Sequence, residues 1–213
     1  MAEEIKAKKD LHVFRKIWHM VPGVSLVLFI KAQIIPMYLT VIGLGLIFIA
    51  SAVIELLRLN YRQFNKLTIK LSRHIIRREE LKQISGVPYY LGACFLVTLI
   101  FNKDIASLSI LYLAIGDPIA SFFGIKYGSD GYKFKNGKSL VGTLAALSFC
   151  MCLTMIYGSF MDWKMSSVYL ISLFGGIGAS LAETFVPEDI NDNLFIPLVS
   201  AIILSILFAN YPV

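Results

Sequence analysis

The chain has 213 residues, of which 57% are hydrophobic and only 16% charged, where soluble domains carry about 25%. This composition excludes a disordered chain, a nucleic-acid-binding arm and a disulfide scaffold. A soluble core of this size could not hide so much apolar surface, and the mean hydropathy of +0.71 says the same. The surplus must face lipid, so the chain reads as all-α: a polytopic integral membrane helix bundle, one domain over residues 1–213.

A spanning helix needs about 20 apolar residues. In chain order, seven runs meet or approach that length: Ile17–Ile35, Pro36–Leu57, Ile84–Phe101, Ile105–Phe123, Leu140–Phe160, Ser166–Val186 and Leu194–Ala209. Ile35-Pro36 alone separates the first two, which suits a tight hairpin. The charged stretch Met1–Lys16 is long, and no small-residue cleavage site follows the first apolar run, so a signal peptide is not expected. Cys94, Cys150 and Cys152 lie inside apolar runs and read as packing residues.

Seven helices sort the connecting segments onto two sides. Met1–Lys16, Arg58–Gln83, Gly124–Ser139 and Pro187–Asn193 share one side and hold 17 of the Lys and Arg residues; the other side holds 3. The positive-inside rule makes the rich side cytosolic, with the N-terminus inside. In Arg58–Gln83, Phe64, Leu67, Leu71 and Ile75 recur near helical spacing among basic residues. A basic amphipathic helix over 58–83, lying on the anionic cytosolic leaflet, is expected.

Acids inside a bilayer are costly and mark function. Glu55, Asp117 and Glu183 lie within apolar runs near their cytosolic ends, and Glu188, Asp189 and Asp192 follow just beyond. All six carboxylates therefore gather at one membrane face. In Gly116-Asp117-Pro118-Ile119-Ala120-Ser121, helical spacing puts Asp117, Ser121 and Gly124 on one face. Gly116, Ala120 and Gly124 form a small-residue stripe that lets helices approach closely. Pro118 removes a backbone donor.

Asn136-Gly137-Lys138-Ser139 resembles the end of a phosphate-binding loop but fails its spacing, since Tyr132 stands where glycine is required. A glycine turn feeding a helix start is still an anion site, with Lys138 adding charge and Ser139 able to cap the helix. Glu183, Glu188, Asp189 and Asp192 form a hard-oxygen cluster suited to Mg²⁺. At the first helix entry, Arg15 and Lys16 could clamp phosphates, with His19 on the same face as Arg15. Bases, anion-binding turns and carboxylates at one membrane boundary point to a phosphorylated, metal-bound substrate and a lipid co-substrate.

Five pieces, in this order, carry a resemblance: Arg15-Lys16-x-x-His19, Glu55-x-x-Arg58, Gly116-Asp117-Pro118-x-Ala120-Ser121-x-x-Gly124, Lys138-Ser139-x-x-Gly142, and Glu183 followed by Asp189-x-x-Asp192-Asn193-x-x-x-Pro197. The chain resembles the CTP-dependent lipid kinases, which include dolichol kinase, phytol kinase and the yeast-type diacylglycerol kinase and are related to phosphatidate cytidylyltransferases. The resemblance implies CTP as phosphoryl donor, Mg²⁺, and a lipid alcohol as acceptor: diacylglycerol or a polyprenol such as dolichol or phytol. It implies catalytic roles for Asp117, Glu183 and Lys138, and Mg²⁺ on Asp117, Glu183, Asp189 and Asp192. Arg15, Lys16, His19, Glu55, Arg58, Ser121, Gly124, Gly137, Ser139 and Asn193 would line the nucleotide site. Where the family more usually has two adjacent acids, Ile190 and Asn191 here separate Asp189 from Asp192. The reaction would occur at the cytosolic face of a cytoplasmic membrane in a prokaryote, or of an endoplasmic reticulum-type membrane in a eukaryote. A homodimer is left open, and nucleic acid is not a partner.

Two other readings compete. Cytidylyl transfer to phosphatidate would release pyrophosphate, but the lysine- and arginine-free stretch Leu181–Pro197 favours the kinase. A transporter would carry charge near mid-membrane in paired repeats, and no repeat is visible.

Overall fold

The computed structural model describes residues 13–211 and residue 213, so most of the leader expected at Met1–Lys16 lies outside the described residues. The helices are α1 (Val13–Ala32), α2 (Met37–Asn60), α3 (Arg62–Ser72), α4 (Gly86–Ile100), α5 (Lys103–Leu111), α6 (Asp117–Tyr127), α7 (Leu140–Phe160), α8 (Met165–Thr184) and α9 (Asp192–Asn210). A five-residue π-helical segment, Tyr112–Gly116, joins α5 to α6 without a break. All seven apolar runs are helical, and six helices are long and apolar enough to cross a membrane. The seventh, α4, has 15 residues. At about 1.5 Å per residue it falls short of a hydrocarbon core about 30 Å thick.

Local chemistry sets several boundaries. Asn102 caps α5 by accepting from Asp104 and Ile105 N–H groups at 3.1 and 2.9 Å. Ser139 caps α7, its hydroxyl accepting from Gly142 N–H at 3.1 Å. Asn191 caps α9 by accepting from Asn193 N–H at 3.1 Å. The α1–α2 hairpin turns through Gln33 in the left-handed region at φ 50°, with Pro36 ahead of α2.

α5 is the axis of the bundle. Its residues Ile105–Leu111 are all buried, and α1, α4, α7 and α9 pack around it. A helix apolar on every side is stable only when it is enclosed. By contrast α2 leans on α4 and shows Ile42, Leu46, Ile49 and Val53 to the outside, the pattern of a lipid-facing helix. Cys94 and Cys150 are buried and Cys152 is exposed, and all three are free, as packing residues should be.

The small-residue stripe on α6 does the work expected of it. A Cβ added to Gly142 of α7 would stand 2.7 Å from the Ala120 carbonyl oxygen, and one on Gly116 would stand 2.8 Å from Cys150 Sγ. These glycines let α6 and α7 touch backbone to backbone. Gly142→Ala should therefore cost about 1–3 kcal/mol of stability, because the obstructing atom is backbone and cannot swing aside. Thermal unfolding in detergent reads this, with Gly43→Ala as the comparison. Nothing lies within 4 Å of a Cβ at Gly43, so its unfolding temperature should not fall through crowding.

The amphipathic helix expected over 58–83 is shorter in the structure. Arg58 still belongs to α2, only Arg62–Ser72 forms a separate helix, and Glu79–Leu81 forms one 3₁₀ turn. Polar contacts to Arg15, Arg58 and Glu55 hold the rest of the segment and take the place of helical hydrogen bonds. On α3, Leu67 and Leu71 stay exposed beside Arg62, Lys66 and Lys70.

The chain alternates direction, so one end of the bundle collects the start of α1, the end of α2, the starts of α4, α7 and α9, and the ends of α6 and α8. The opposite end is closed by a small network. Lys31 Nζ donates to Asp104 Oδ1 at 2.5 Å, Tyr157 OH donates to the same oxygen at 2.7 Å, and the lysine lies over the Tyr157 ring.

Candidate active site

Asp117 follows directly on the π-helical segment. Its N–H donates to Tyr112 O, five residues back, and the next residue, Pro118, has no N–H to give. One added residue turns everything after it by about 100° relative to an unbroken α-helix. The turned face meets α1. Lys16 Nζ donates to Ser121 Oγ at 2.5 Å, and His19 Nε2 stands 4.0 Å from Asp117 Oδ2. His19 Nε2 is buried and has no hydrogen-bond partner among the described residues. Its ring sits edge-on to Tyr90, whose hydroxyl donates to His19 O at 3.1 Å. Gly23, one turn further on, faces the Tyr90 hydroxyl and Ala114 with no room for a side chain.

A second group, from the α6–α7 connection and the end of α8, lies within electrostatic reach of Asp117. Lys138 Nζ donates to Glu183 Oε1 at 2.7 Å and also to Glu183 O. Thr184 Oγ1 donates to Glu183 Oε2 at 3.3 Å, and Asn136 Nδ2 donates to Thr184 O at 2.5 Å. Asp117 acts electrostatically on Lys16, His19 and Glu183, and Asp192 acts on His19. Lys16, His19, Asp117, Ser121, Lys138 and Glu183 thus form one charged cluster at the cation-rich end.

Other expected site residues hold this cluster in place. Arg15 is engaged by Glu80, with its Nη atoms donating to the carboxylate at 2.7 and 2.9 Å and to Ile75 O at 2.6 Å. Arg58 is 1% exposed; it binds the Glu55 carboxylate at 2.5 and 3.2 Å and Gln83 O at 2.6 Å. Asn193 Nδ2 donates to Gly86 O at 3.0 Å, tying the starts of α9 and α4 together. A Cβ on Gly124 would stand 3.0 Å from Ser139 Oγ, so these two residues join α6 to α7. The turn at Gly137 is closed on itself: Gly137 N–H donates to Phe134 O at 2.8 Å, and Lys138 N–H to Asn136 Oδ1 at 3.1 Å. Gly137 has φ 80°, which lets the hairpin reverse and aims Lys138 at Glu183. The Gly137 and Lys138 amides are spent on the turn, which leaves the lysine and the start of α7 as the anion-binding features there.

The four expected metal ligands are not drawn together. No group of three or more His, Cys, Asp or Glu is spaced to hold a metal ion among the described residues. Glu183 is paired with Lys138, and Asp189 is exposed in the α8–α9 connection. Sequence reasoning missed Glu80 and Thr184 and gave Asn136 and Thr143 no role of their own. Thr143 and Thr184 bond each other at 2.7 Å across 41 positions. Residues that meet across such separations leave no local pattern.

Glu80 lies outside the spanning segments, and its environment sets a pH dependence. Burial disfavours its charge. The two Arg15 hydrogen bonds, the Arg15 charge, the Arg77 N–H and the Arg77 charge outweigh that and hold its pKa below the ordinary 4.5. A carboxylate with a lowered folded pKa stabilises the fold fully above its unfolded value and loses that contribution as pH falls. Glu80→Gln should therefore lower the thermal midpoint at neutral pH, and the gap from wild type should narrow as pH falls below about 4.5.

Comparison with known proteins bears on what this cluster does. No protein-family model matches the chain, and no solved structure matches it. The CTP-dependent diacylglycerol kinase 1 of Saccharomyces cerevisiae is 27% identical over 181 residues, covering 77% of this chain and 62% of that protein. The CTP-dependent diacylglycerol kinase 1 of Schizosaccharomyces pombe is 32% identical over 185 residues, covering 83% of this chain and 82% of that protein. The chain belongs to the CTP-dependent lipid kinase family. A chloroplastic farnesol kinase of Arabidopsis thaliana is 32% identical over 150 residues, covering 66% of this chain and 48% of that protein. The chain therefore spans about three-fifths of the budding-yeast kinase and about half of the plant one. Within this lipid kinase family, the ordered pieces that suggest membership from sequence fall at one end of the bundle, most of them in the cluster or its supports, while Asp189 stays exposed in the α8–α9 connection.

Proposed function

We propose that the protein transfers the γ-phosphate of CTP to the hydroxyl of a membrane lipid alcohol at the cytosolic membrane face. The observation that carries this reading is the meeting of Lys16, His19, Asp117 and Ser121 beside the Lys138–Glu183 pair at one end of a membrane helix bundle. Phosphoryl transfer depends on positioning and charge neutralisation, which this set supplies. The relatives' names support a kinase over a cytidylyltransferase. Diacylglycerol and isoprenoid alcohols are the acceptor classes that the relatives suggest.

Lys16 and Lys138 neutralise the phosphates. The acceptor hydroxyl reaches the cluster from the bilayer and attacks the γ-phosphorus in line; the P–O bond to the β–γ bridging oxygen breaks, CDP leaves, and the hydroxyl proton passes to Asp117 or Glu183. Mg²⁺ fits the donors in a restricted way. It takes one or two carboxylates with substrate phosphates and seldom an all-protein cage. The Asp117 carboxylate accepts no hydrogen bond among the described residues, and Asp192 lies in the same electrostatic neighbourhood. Asp117 with Asp192 would hold the ion, which when bound spreads the phosphate charge.

The test is purified protein in lipid micelles with Mg²⁺ and γ-labelled CTP, offered diacylglycerol, a polyprenol and phytol in parallel. Label appearing in a lipid supports the reading and names the acceptor. Pyrophosphate release with phosphatidate, and no lipid labelling, would replace it with cytidylyl transfer.

A further inference from the structure

Arg77 has no part in the reading above, yet it stands at the same end of the bundle. Its Nε is buried and has no hydrogen-bond partner among the described residues. Its N–H donates to Glu80 Oε2 at 2.8 Å, and its charge acts on Lys16 and His19. A buried guanidinium N–H left unpaired is unfavourable, and pressing a further cation toward Lys16 adds repulsion. An anion arriving among these groups would relieve both.

The backbone around Arg77 is anchored on either side. Arg15 holds Ile75 O and the Glu80 carboxylate; Arg58 holds Leu81 O and Gln83 O; Glu55 accepts from Ser85 N–H at 2.5 Å. None of these contacts occupies Arg77 Nε. We propose that Arg77 is a phosphate-contacting residue of the nucleotide site, presented there by the α3–α4 connection. The proposal rests on the kinase reading for the identity of the polyphosphate as CTP.

Calorimetric titration of the detergent-solubilised full chain with inorganic tripolyphosphate tests it. Wild type should bind, Arg77→Ala should bind about tenfold more weakly or worse, and Arg77→Lys should fall between, since it keeps the charge and loses the fork. Arg73→Ala, an exposed arginine whose Nε bonds His74, should match wild type. Unfolding without ligand checks that each variant is folded, and Arg77→Gln serves if the alanine variant is not. In the transfer assay the KM for CTP should rise by a similar factor while the KM for the lipid stays constant. Unchanged tripolyphosphate affinity in Arg77→Ala overturns the proposal, and so does a wild type that binds no tripolyphosphate. A wild type that binds tripolyphosphate with Arg77 dependence but transfers no phosphate supports this proposal and overturns the kinase reading alone.

Discussion

Asp117→Asn is expected to abolish phosphate transfer, by about a thousandfold or more, while leaving the fold intact. Asparagine keeps the shape of the side chain and removes its charge. The carboxylate accepts no hydrogen bond among the described residues, and Asp117 is held by its backbone in the helix, so little structural support is lost. What disappears is the anion facing His19, Lys16 and Glu183, and with it the group best suited to Mg²⁺. Losses of this size follow when charge stabilisation in a pre-organised site is removed. Thermal unfolding beside the label-transfer assay reads both halves of the statement. Near-normal turnover would remove Asp117 from the catalytic centre.

Arg58→Ala should be the most damaging single change to stability, at about 3–5 kcal/mol, the range seen when one partner of a buried ion pair is removed. Arg58 is 1% exposed and Glu55 is 7% exposed. The guanidinium bonds both Glu55 oxygens and the Leu81 and Gln83 carbonyls, so its loss leaves a buried carboxylate with Ser85 N–H as its remaining donor among the described residues. Replacing both residues together, as Glu55→Met with Arg58→Met, should restore a good part of the loss, because no charge is then stranded. Thermal unfolding of the two single variants and the double variant closes the cycle. Activity should fall further than stability alone explains, since Arg58 also anchors the segment that carries Glu80.

The helices were legible in the sequence because lipid demands long apolar runs, and hydropathy is a local property. The α6 stripe and the Ser139 cap were legible for the same reason: spacing within one helix fixes which residues share a face. That polar residues gather at one end of the bundle was legible, because a bilayer would not otherwise tolerate them. The division of labour inside that set was not. Arg15 reads as a phosphate clamp beside Lys16, and only the return of the chain 65 residues later brings Glu80 onto it. Gly137-Lys138 reads as open for anion binding until Phe134 and Asn136 are seen to take its two amides. The acids around Asp189 look like a metal cluster because they are close along the chain, whereas Glu183 is paired with Lys138 and Glu188 and Asp189 are exposed. The short α4 was also illegible in length, since its apolar run extends into residues that serve as caps and turns.

The π-helical segment has a consequence for how such a protein could arise. Between Tyr112 and Gly116 the chain carries one residue more than an α-helical path of the same span needs. At the level of the gene that is a single in-frame codon. Upstream of it, the buried residues of α5 keep their registration with their neighbours; downstream, the whole of α6 is rotated. One inserted codon is thus sufficient to carry an acidic side chain from one neighbouring helix to another without redesigning the core that comes before it. Its removal would return Asp117 to a different partner just as abruptly. The position of the Asp117 carboxylate is inherited as a step and cannot drift by small degrees.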